Sequence, residues 1–259
     1  MDRIKIMTND TDTVIIAIAV YHFLRSKYVF EDIHIAYKLN KQHRSISIKE
    51  LAESLGASQC SAIPFLHSFS GSDTTSAFKT IGKKKALDAF KAYKDAELTL
   101  GSFYRQPFQN LEEGDLSFKI LQRLVILMYC RSSDLTMVNE ARMELYFQRS
   151  PNVERIPPTS NALLFHTKRA VYQCGVWSRC LLPKQDLPSP ENYGWSRNDD
   201  QLVKWLPYWL TTKEASRECR EFVKCACSQT CTRCKCVLAS FKCTLLCKCK
   251  CSDKISYES

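Results

Sequence analysis

Glycine is scarce in this chain, with 7 glycines and 9 prolines among 259 residues. So few turn-forming residues argue against a glycine-rich phosphate loop and against a many-turned β-sandwich. Long apolar runs are also lacking. The longest uncharged one, Thr13–Leu24, has 12 residues, whereas a membrane span needs about 20. The N-terminal sequence MDRIKIMTND has no apolar core of the kind found in signal peptides. We therefore expect an intracellular protein without a membrane partner.

Cysteine and positive charge, by contrast, are abundant. The chain has 14 cysteines, and nine of them fall between Cys225 and Cys251. In a reducing intracellular compartment, clustered cysteines indicate a metal site rather than disulfides. The net charge is +10, from 37 basic and 27 acidic residues, which favours a polyanionic partner such as nucleic acid.

The C-terminal cysteines follow the spacing C-x-C-x3-C-x2-C-x-C-x6-C-x3-C-x-C-x-C. Cysteines one residue apart rarely bond each other, because a disulfide needs a specific geometry, but they can share a metal cluster. Three zinc ions need twelve thiolate bonds, which nine cysteines supply if three of them bridge. Two zinc ions with one spare cysteine are the simpler alternative, and a disordered cysteine-rich tail is the third. The predicted ligands are Cys225, Cys227, Cys231, Cys234, Cys236, Cys243, Cys247, Cys249 and Cys251.

This spacing resembles the tesmin-type CXC domain, which has two close cysteine clusters around a six-residue gap, here residues 237–242. The resemblance implies three structural zinc ions, binding to DNA and a nuclear location. It also assigns DNA contacts to the basic residues Arg233, Lys235 and Lys242. Arg233 stands where members with two repeats carry a groove-reading tyrosine, which argues against sequence reading of that kind.

Alternating and helical periodicities predict an α/β fold for the first 95 residues. A short strand at Ile4 and Ile6 precedes a buried helix over Val14–Leu24, and Phe30–Tyr37 alternates as a second strand. A capping box of Ser47 and Glu50 starts the next helix, and Gly56 is expected to stop it. Further helices are predicted over residues 62–69, 83–93, 118–130, 138–148, 163–174 and 215–223. His166 is expected on a solvated helix face, beside Lys168 and Arg169.

Asp10 and Asp12 come directly after the first strand and before the first helix. Carboxylates placed there lie at the carboxyl edge of a parallel sheet, where α/β folds build their sites. The alternative is purely structural, because Asp is a preferred residue at a helix N-cap.

Downstream, a G-S-D turn at Gly71–Asp73 leads to the turn I-G-K-K-K-A at residues 81–86. Together with Asp10 and Asp12, these motifs resemble the flap-endonuclease branch of the PIN-like nucleases. The resemblance implies that Asp10, Asp12 and Asp73 are ligands of Mg²⁺ or Mn²⁺. It also implies that Gly82, Lys83, Lys84 and Lys85 form a turn that grips a DNA backbone. The alternative for the three lysines is a solvated helix face. The family's earlier carboxylates have no counterpart here, so we expect an N-terminally incomplete domain that cuts weakly or not at all. A truncated gene product, a domesticated remnant that binds without cutting, and a domain completed by another chain are the three alternatives.

The sequence as a whole predicts a partial parallel sheet with helices, then a mainly helical region, then a small zinc cluster. The expected boundaries are 1–95 for the PIN-like α/β domain and 96–182 for a helical extension. A Trp- and Pro-rich connector over 183–218 leads to the CXC domain at 219–252. We expect a nucleic-acid-binding protein of mobile-element origin, with DNA as its partner. The alternative is a non-catalytic DNA- or chromatin-binding scaffold whose carboxylates are structural.

Overall fold

The computed structural model describes residues 3–39, 42–148, 155–197, 205–208, 225–229 and 247–251, together with Cys231, Cys236 and Cys243. The chain divides into two compact units. One comprises Met1–Arg142 and Asn152–Tyr208, and the other comprises Met143–Pro151 and Trp209–Ser259. Within the described residues the fold is mixed α/β, with seven α-helices and two small sheets. The predicted helix over 215–223 lies outside the described residues.

The first unit begins with a three-stranded sheet in the order β1-β2-β3. Strand β1 (Arg3–Met7) runs parallel to β2 (Asp32–Leu39), and helix α1 (Thr11–Lys27) connects them. Strand β3 (Gln42–Ser47) returns antiparallel to β2. The predicted strands and first helix are thus present, whereas β3 was not foreseen. The core between sheet and helices includes Ile18, Tyr21, Ile33 and Ile35.

Helix α2 (Ile48–Phe69) forms the centre of this unit and packs against α1, α4 (Asp95–Arg105) and α7 (Ser160–Ser178). The predicted cap at its start is confirmed, because the Ser47 hydroxyl accepts a hydrogen bond from the Glu50 N–H at 3.1 Å. Gly56 ends the first helical segment of α2 with a non-helical backbone (φ 76°, ψ 161°), so the predicted stop is confirmed as a kink between two helical segments. The chain resumes the helix at once, because the following turns bury an apolar face that includes Phe65 and Phe69.

Helices α4 and α7 pack against α2 in the same unit. Phe65 of α2 stacks on Phe103 of α4 with ring centroids 4.4 Å apart, and the Ser68 hydroxyl donates to the Ala170 carbonyl of α7 at 3.1 Å. These contacts bury α2 against the helical region of the same unit. The helices are α3 (Lys83–Ala92), α4 (Asp95–Arg105), α5 (Leu116–Tyr129), α6 (Val138–Gln148) and α7 (Ser160–Ser178).

A short 3-10 turn (Pro190–Tyr193) and a two-stranded antiparallel ribbon end the described part of the first unit. The ribbon pairs β4 (Trp195–Arg197) with β5 (Trp205–Pro207). Tyr193 fixes this segment to the body, since its hydroxyl donates to the Phe108 carbonyl at 2.7 Å. None of the described helices is both long enough and apolar enough to cross a membrane.

Candidate metal centre

Six of the eight C-terminal cysteines that the structure describes come together as two overlapping groups of four sulfur atoms. One group comprises Cys225, Cys231, Cys243 and Cys249, and the other comprises Cys225, Cys236, Cys243 and Cys247. Within each group all four sulfurs lie within 4.8 Å of one another. Among the described residues, these are the sets of metal-ligating side chains that reach this proximity. Cys225 and Cys243 belong to both groups, so each of them is placed to bridge two ions.

The separations between the sulfurs match the dimensions of a zinc site. Cys225 and Cys231 have their sulfurs 3.4 Å apart, and Cys231 and Cys243 have theirs 3.7 Å apart. In the other group, Cys236 and Cys247 are also 3.7 Å apart. With zinc–sulfur bonds of about 2.3 Å, the edge of a tetrahedral site is about 3.8 Å long. Soft thiolate donors in this arrangement fit zinc rather than magnesium or calcium.

The alternating spacing at the C-terminal end explains how one short segment can supply ligands to two sites. Cys247 belongs to one group and Cys249 to the other. Residues two apart in an extended chain are about 6.6 Å apart, which places their sulfurs more easily at neighbouring ions than at one. The backbone also points at the sulfurs, because the Cys225 N–H donates to Cys247 Sγ at 3.4 Å. The Cys231 N–H donates to Cys251 Sγ at the same distance.

Cysteine replaces an ordinary apolar core in this segment. The buried cluster there consists of cysteines alone among the described residues, with Cys227, Cys231 and Cys251 packed at its margin. Burial raises the pKa of Cys225 and Cys243 above the usual thiol range. A hydrogen bond from the Cys251 backbone lowers the pKa of Cys249 to about 6. A divalent cation would offset the cost of ionising the buried thiols, so we expect metal binding and folding of this segment to be coupled.

The other predicted residues of the C-terminal segment cannot be placed. Cys234, Arg233, Lys235 and Lys242 lie outside the described residues. Cys227 and Cys251 are described and half-buried at the cluster, but neither belongs to the two groups of four. The third predicted zinc ion therefore stays a prediction.

Two of the three aspartates predicted as metal ligands, Asp10 and Asp12, have structural partners. Asp10 is the N-cap of α1, and its carboxylate accepts a hydrogen bond from the Asp12 N–H at 2.9 Å, which confirms the capping interpretation. Asp12 Oδ1 lies 2.9 Å from His67 Nε2 at the end of α2. Burial, followed by the nearby charge of Lys83, lowers the pKa of His67. Asp73 lies on the exposed turn after α2, and these three aspartates do not form one of the close ligand groups among the described residues.

The lysines of the predicted phosphate-gripping turn differ in what they contact. The Lys83 ammonium donates to the carbonyls of His67 and Gly71, at the carboxyl end of α2. Partial burial of this group lowers the pKa of Lys83 to about 8. Lys85 donates to the Thr80 carbonyl at 3.2 Å. Lys84 is exposed, and the contacts within the described part of the chain leave its ammonium to solvent.

Gly82 precedes α3 as its N-cap, with an extended backbone at φ −88° and ψ 170°. A Cβ placed there would meet no atom within 4 Å. The protein itself therefore does not require glycine at this position, which leaves room for an outside group to approach the backbone.

Two histidines have surroundings that the sequence did not predict. His166 was expected on a solvated face, but it is 5% exposed. Its Nε2 lies 2.7 Å from the Phe69 carbonyl, and its Nδ1 lies 3.3 Å from Ser76 Oγ. The face is buried because α7 packs on α2. His67 was not singled out, since no local motif joins it to Asp12, 55 residues away in the chain.

Comparisons with known proteins add no relative: no family model, no curated protein and no solved structure matches this chain. The class that the geometry defines is therefore a mixed α/β protein with a C-terminal cysteine cluster that can hold metal.

Proposed function

We propose that this protein binds DNA, with a zinc–thiolate cluster as its C-terminal binding module and a PIN-like body as its second contact. The observation that carries the proposal is the convergence of six cysteines into two groups that share Cys225 and Cys243. Shared thiolates are what a multinuclear zinc cluster requires, and the tesmin-type CXC spacing is similar to that of known DNA-binding modules.

Charge supports a polyanionic partner for this module. Between Cys219 and Cys251 the sequence has seven basic residues and one acidic residue. Zinc bound by four thiolates carries negative charge, so phosphate binding depends on the lysines that surround the cluster. Lys248 and Lys250, between the last three cysteines, are both exposed. The net charge of +10 for the whole chain acts in the same direction.

In the body, Lys84 is the lysine best suited to a phosphate contact, because Lys83 and Lys85 donate to backbone carbonyls. A phosphate at the start of α3 would also meet the free N–H groups of its first turn. Under the PIN-like interpretation, Gly82 allows the close backbone approach that such a contact needs.

We expect this chain to cut DNA poorly or not at all. Three carboxylates offer too few oxygens to hold two divalent ions and an attacking water. The contacts of Asp10 with the Asp12 N–H and of Asp12 with His67 favour the second candidate function, a non-catalytic DNA- or chromatin-binding scaffold. We also propose a mobile-element origin, because such an origin would account for a nuclease-like body joined to a DNA-binding tail.

Fluorescence anisotropy with a labelled DNA duplex tests the binding proposal. The zinc-loaded chain should bind, and binding should weaken steeply with salt because phosphate contacts release counterions. Lys84→Ala should lower the affinity and reduce the salt slope by about one, whereas the exposed Lys119→Ala on α5 serves as the matched charge control. Absence of binding at low salt would contradict the proposal.

Cleavage assays in Mg²⁺ or Mn²⁺ separate the two candidate functions. Flapped, nicked and linear DNA are incubated with the chain and with the double variant Asp12→Asn, Asp73→Asn. Weak or absent cutting is expected for both. Robust cutting that the double variant abolishes would instead establish a complete nuclease site.

A further inference from the structure

Strand β1 is an open edge of the three-stranded sheet. Among the described strands it pairs with β2 alone, and all five of its residues, Arg3–Met7, are exposed. It is also parallel to β2, and parallel strands are ordinarily covered on both faces and flanked by neighbours. An exposed edge of this kind is a template for pairing with another strand.

The backbone hydrogen-bonding groups that β1 leaves open can be identified. The Thr8 N–H, directly after β1, donates to the Ala36 carbonyl of β2 at 3.0 Å. Since the two edges of a strand alternate along the chain, Ile4 and Ile6 also direct their N–H and C=O groups towards β2. The corresponding groups of Arg3, Lys5 and Met7 therefore point away from the sheet. They offer a ladder of donors and acceptors for an additional strand.

The side chains of β1 define what such a strand must carry on one face. Ile4 and Ile6 pair in register with Ile33 and Ile35, which are buried in the core. Ile4 is nevertheless 41% exposed and Ile6 36% exposed, because the apolar layer of the sheet ends at β1. Apolar side chains on an added strand would continue this layer.

The opposite face of β1 is basic. Arg3, Lys5, His34 and Arg44 line a depression of about 320 Å³ beside the strand. Arg3 is neutralised by Glu31 at 2.7 Å and His34 lies 3.1 Å from Asp32. Among the described residues, Lys5 has no such carboxylate partner. Arg44 belongs to β3, on the far side of β2, so acidic side chains on an added strand would meet Lys5.

We propose that β1 is a docking edge for an extended segment of a partner protein in which apolar and acidic residues alternate. The segment adds a fourth strand through the outward groups of Arg3, Lys5 and Met7, places its apolar residues beside Ile4 and Ile6, and directs its carboxylates towards Lys5. This inference is independent of the zinc cluster and of DNA binding.

Two other occupants fit the same surface less well. A second copy of β1, paired antiparallel about its centre, sets Lys5 against Lys5, and like charges directly opposite each other are destabilising. A nucleic acid would use Lys5 and Arg44 but would leave the outward carbonyls and the exposed Ile4 and Ile6 without partners.

A synthetic probe tests the docking edge in the full zinc-loaded chain. The peptide is a fluorescein-labelled, end-capped Thr-Glu-Val-Glu-Val-Glu-Val-Thr, and its binding is followed by fluorescence anisotropy. We expect saturable binding that weakens about tenfold or more when Lys replaces each Glu, or when alternate peptide nitrogens are methylated. The methylated peptide removes the ladder without altering the protein.

Variants of the protein locate the site. Lys5→Pro removes an outward N–H while leaving the β1–β2 ladder intact, and proline is tolerated on edge strands. It should weaken binding more than Lys5→Ala, which removes only the charge, and Lys119→Ala should have no effect. Equal binding of all three peptides would overturn the proposal. A concentration-dependent dimer that Lys5→Pro dissociates would also overturn it, because a second copy would then occupy the edge. Loss of DNA binding with unchanged peptide binding in the Lys5 variants would overturn it in favour of a nucleic acid.

Discussion

His166 should make the stability of the first unit depend on pH. Burial lowers the pKa of His166 from its ordinary 6.5 to about 4, and the aromatic rings of Phe69 and Phe78 flank the imidazole. The neutral ring donates through Nε2 to the Phe69 carbonyl and accepts at Nδ1 from Ser76. Protonation would remove that acceptor inside an apolar site.

The direction and size of the effect follow from the two protonation states. Between about pH 4 and pH 6.5 the unfolded chain binds a proton at His166 and the folded chain does not. The contribution of neutral His166 to the free energy of unfolding is therefore fully present above pH 6.5 and is lost as the pH falls towards about 4. At pH 5 the loss amounts to about one and a half pKa units, or about 2 kcal/mol, relative to pH 7.5. This is a large fraction of the stability of an ordinary domain.

Chemical denaturation followed by far-ultraviolet circular dichroism measures this loss at pH 7.5 and pH 5. His166→Gln keeps a hydrogen-bond donor but cannot titrate. Between the two pH values, its free energy of unfolding should therefore fall by about 2 kcal/mol less than that of the wild type. The exposed His22→Gln on α1 is the matched control and should behave as the wild type. The same pH dependence in His166→Gln and the wild type would refute the reasoning.

Further substitutions test the structural roles of single residues by the same denaturation assay or by thiol labelling. Asp12→Asn weakens the contact with His67 and should lower the free energy of unfolding by about 1–2 kcal/mol. Asp10→Asn preserves the N-cap and should lower it by less than about 0.5 kcal/mol. A larger loss in Asp10→Asn than in Asp12→Asn would contradict these assignments. Gly82→Ser should stabilise α3 by about 0.5 kcal/mol, since serine is a good N-cap and the site is open. A loss of stability would mean that glycine is needed there. Cys174, which is fully buried, should resist a thiol reagent in the native protein, and rapid labelling would show that α7 is not packed as described.

The elements foreseen from sequence are those whose pattern is local. The alternation around Ile4 and Ile33, the capping box at Ser47 and the cysteine spacing all depend on neighbouring residues, and the structure contains each of them. Strand β3 was missed because its sequence QHRSIS has no apolar alternation. It is a strand because it pairs with β2 at one edge of the sheet.

The contacts that escaped prediction join residues distant in the chain. Lys168 and Arg169 suggested a solvated face for α7, but His166 faces α2 and is buried there. Likewise, the inward direction of the Lys83 ammonium depends on where α2 ends, which its own sequence does not indicate. Spacing predicted that the cysteines can share a metal cluster, whereas the sulfurs common to both groups could be identified only from the three-dimensional arrangement.

Elemental analysis of the purified full-length chain tests the zinc–thiolate cluster most directly. We predict at least two zinc ions per chain, because two groups of four sulfurs are present. Cys225→Ser removes a ligand common to both groups and should lower the zinc content more than Cys249→Ser, which affects one group. Cys130→Ser, a half-buried cysteine of the first unit, should leave the content unchanged. A chain that contains no zinc, or that keeps its full content in Cys225→Ser, would contradict the account.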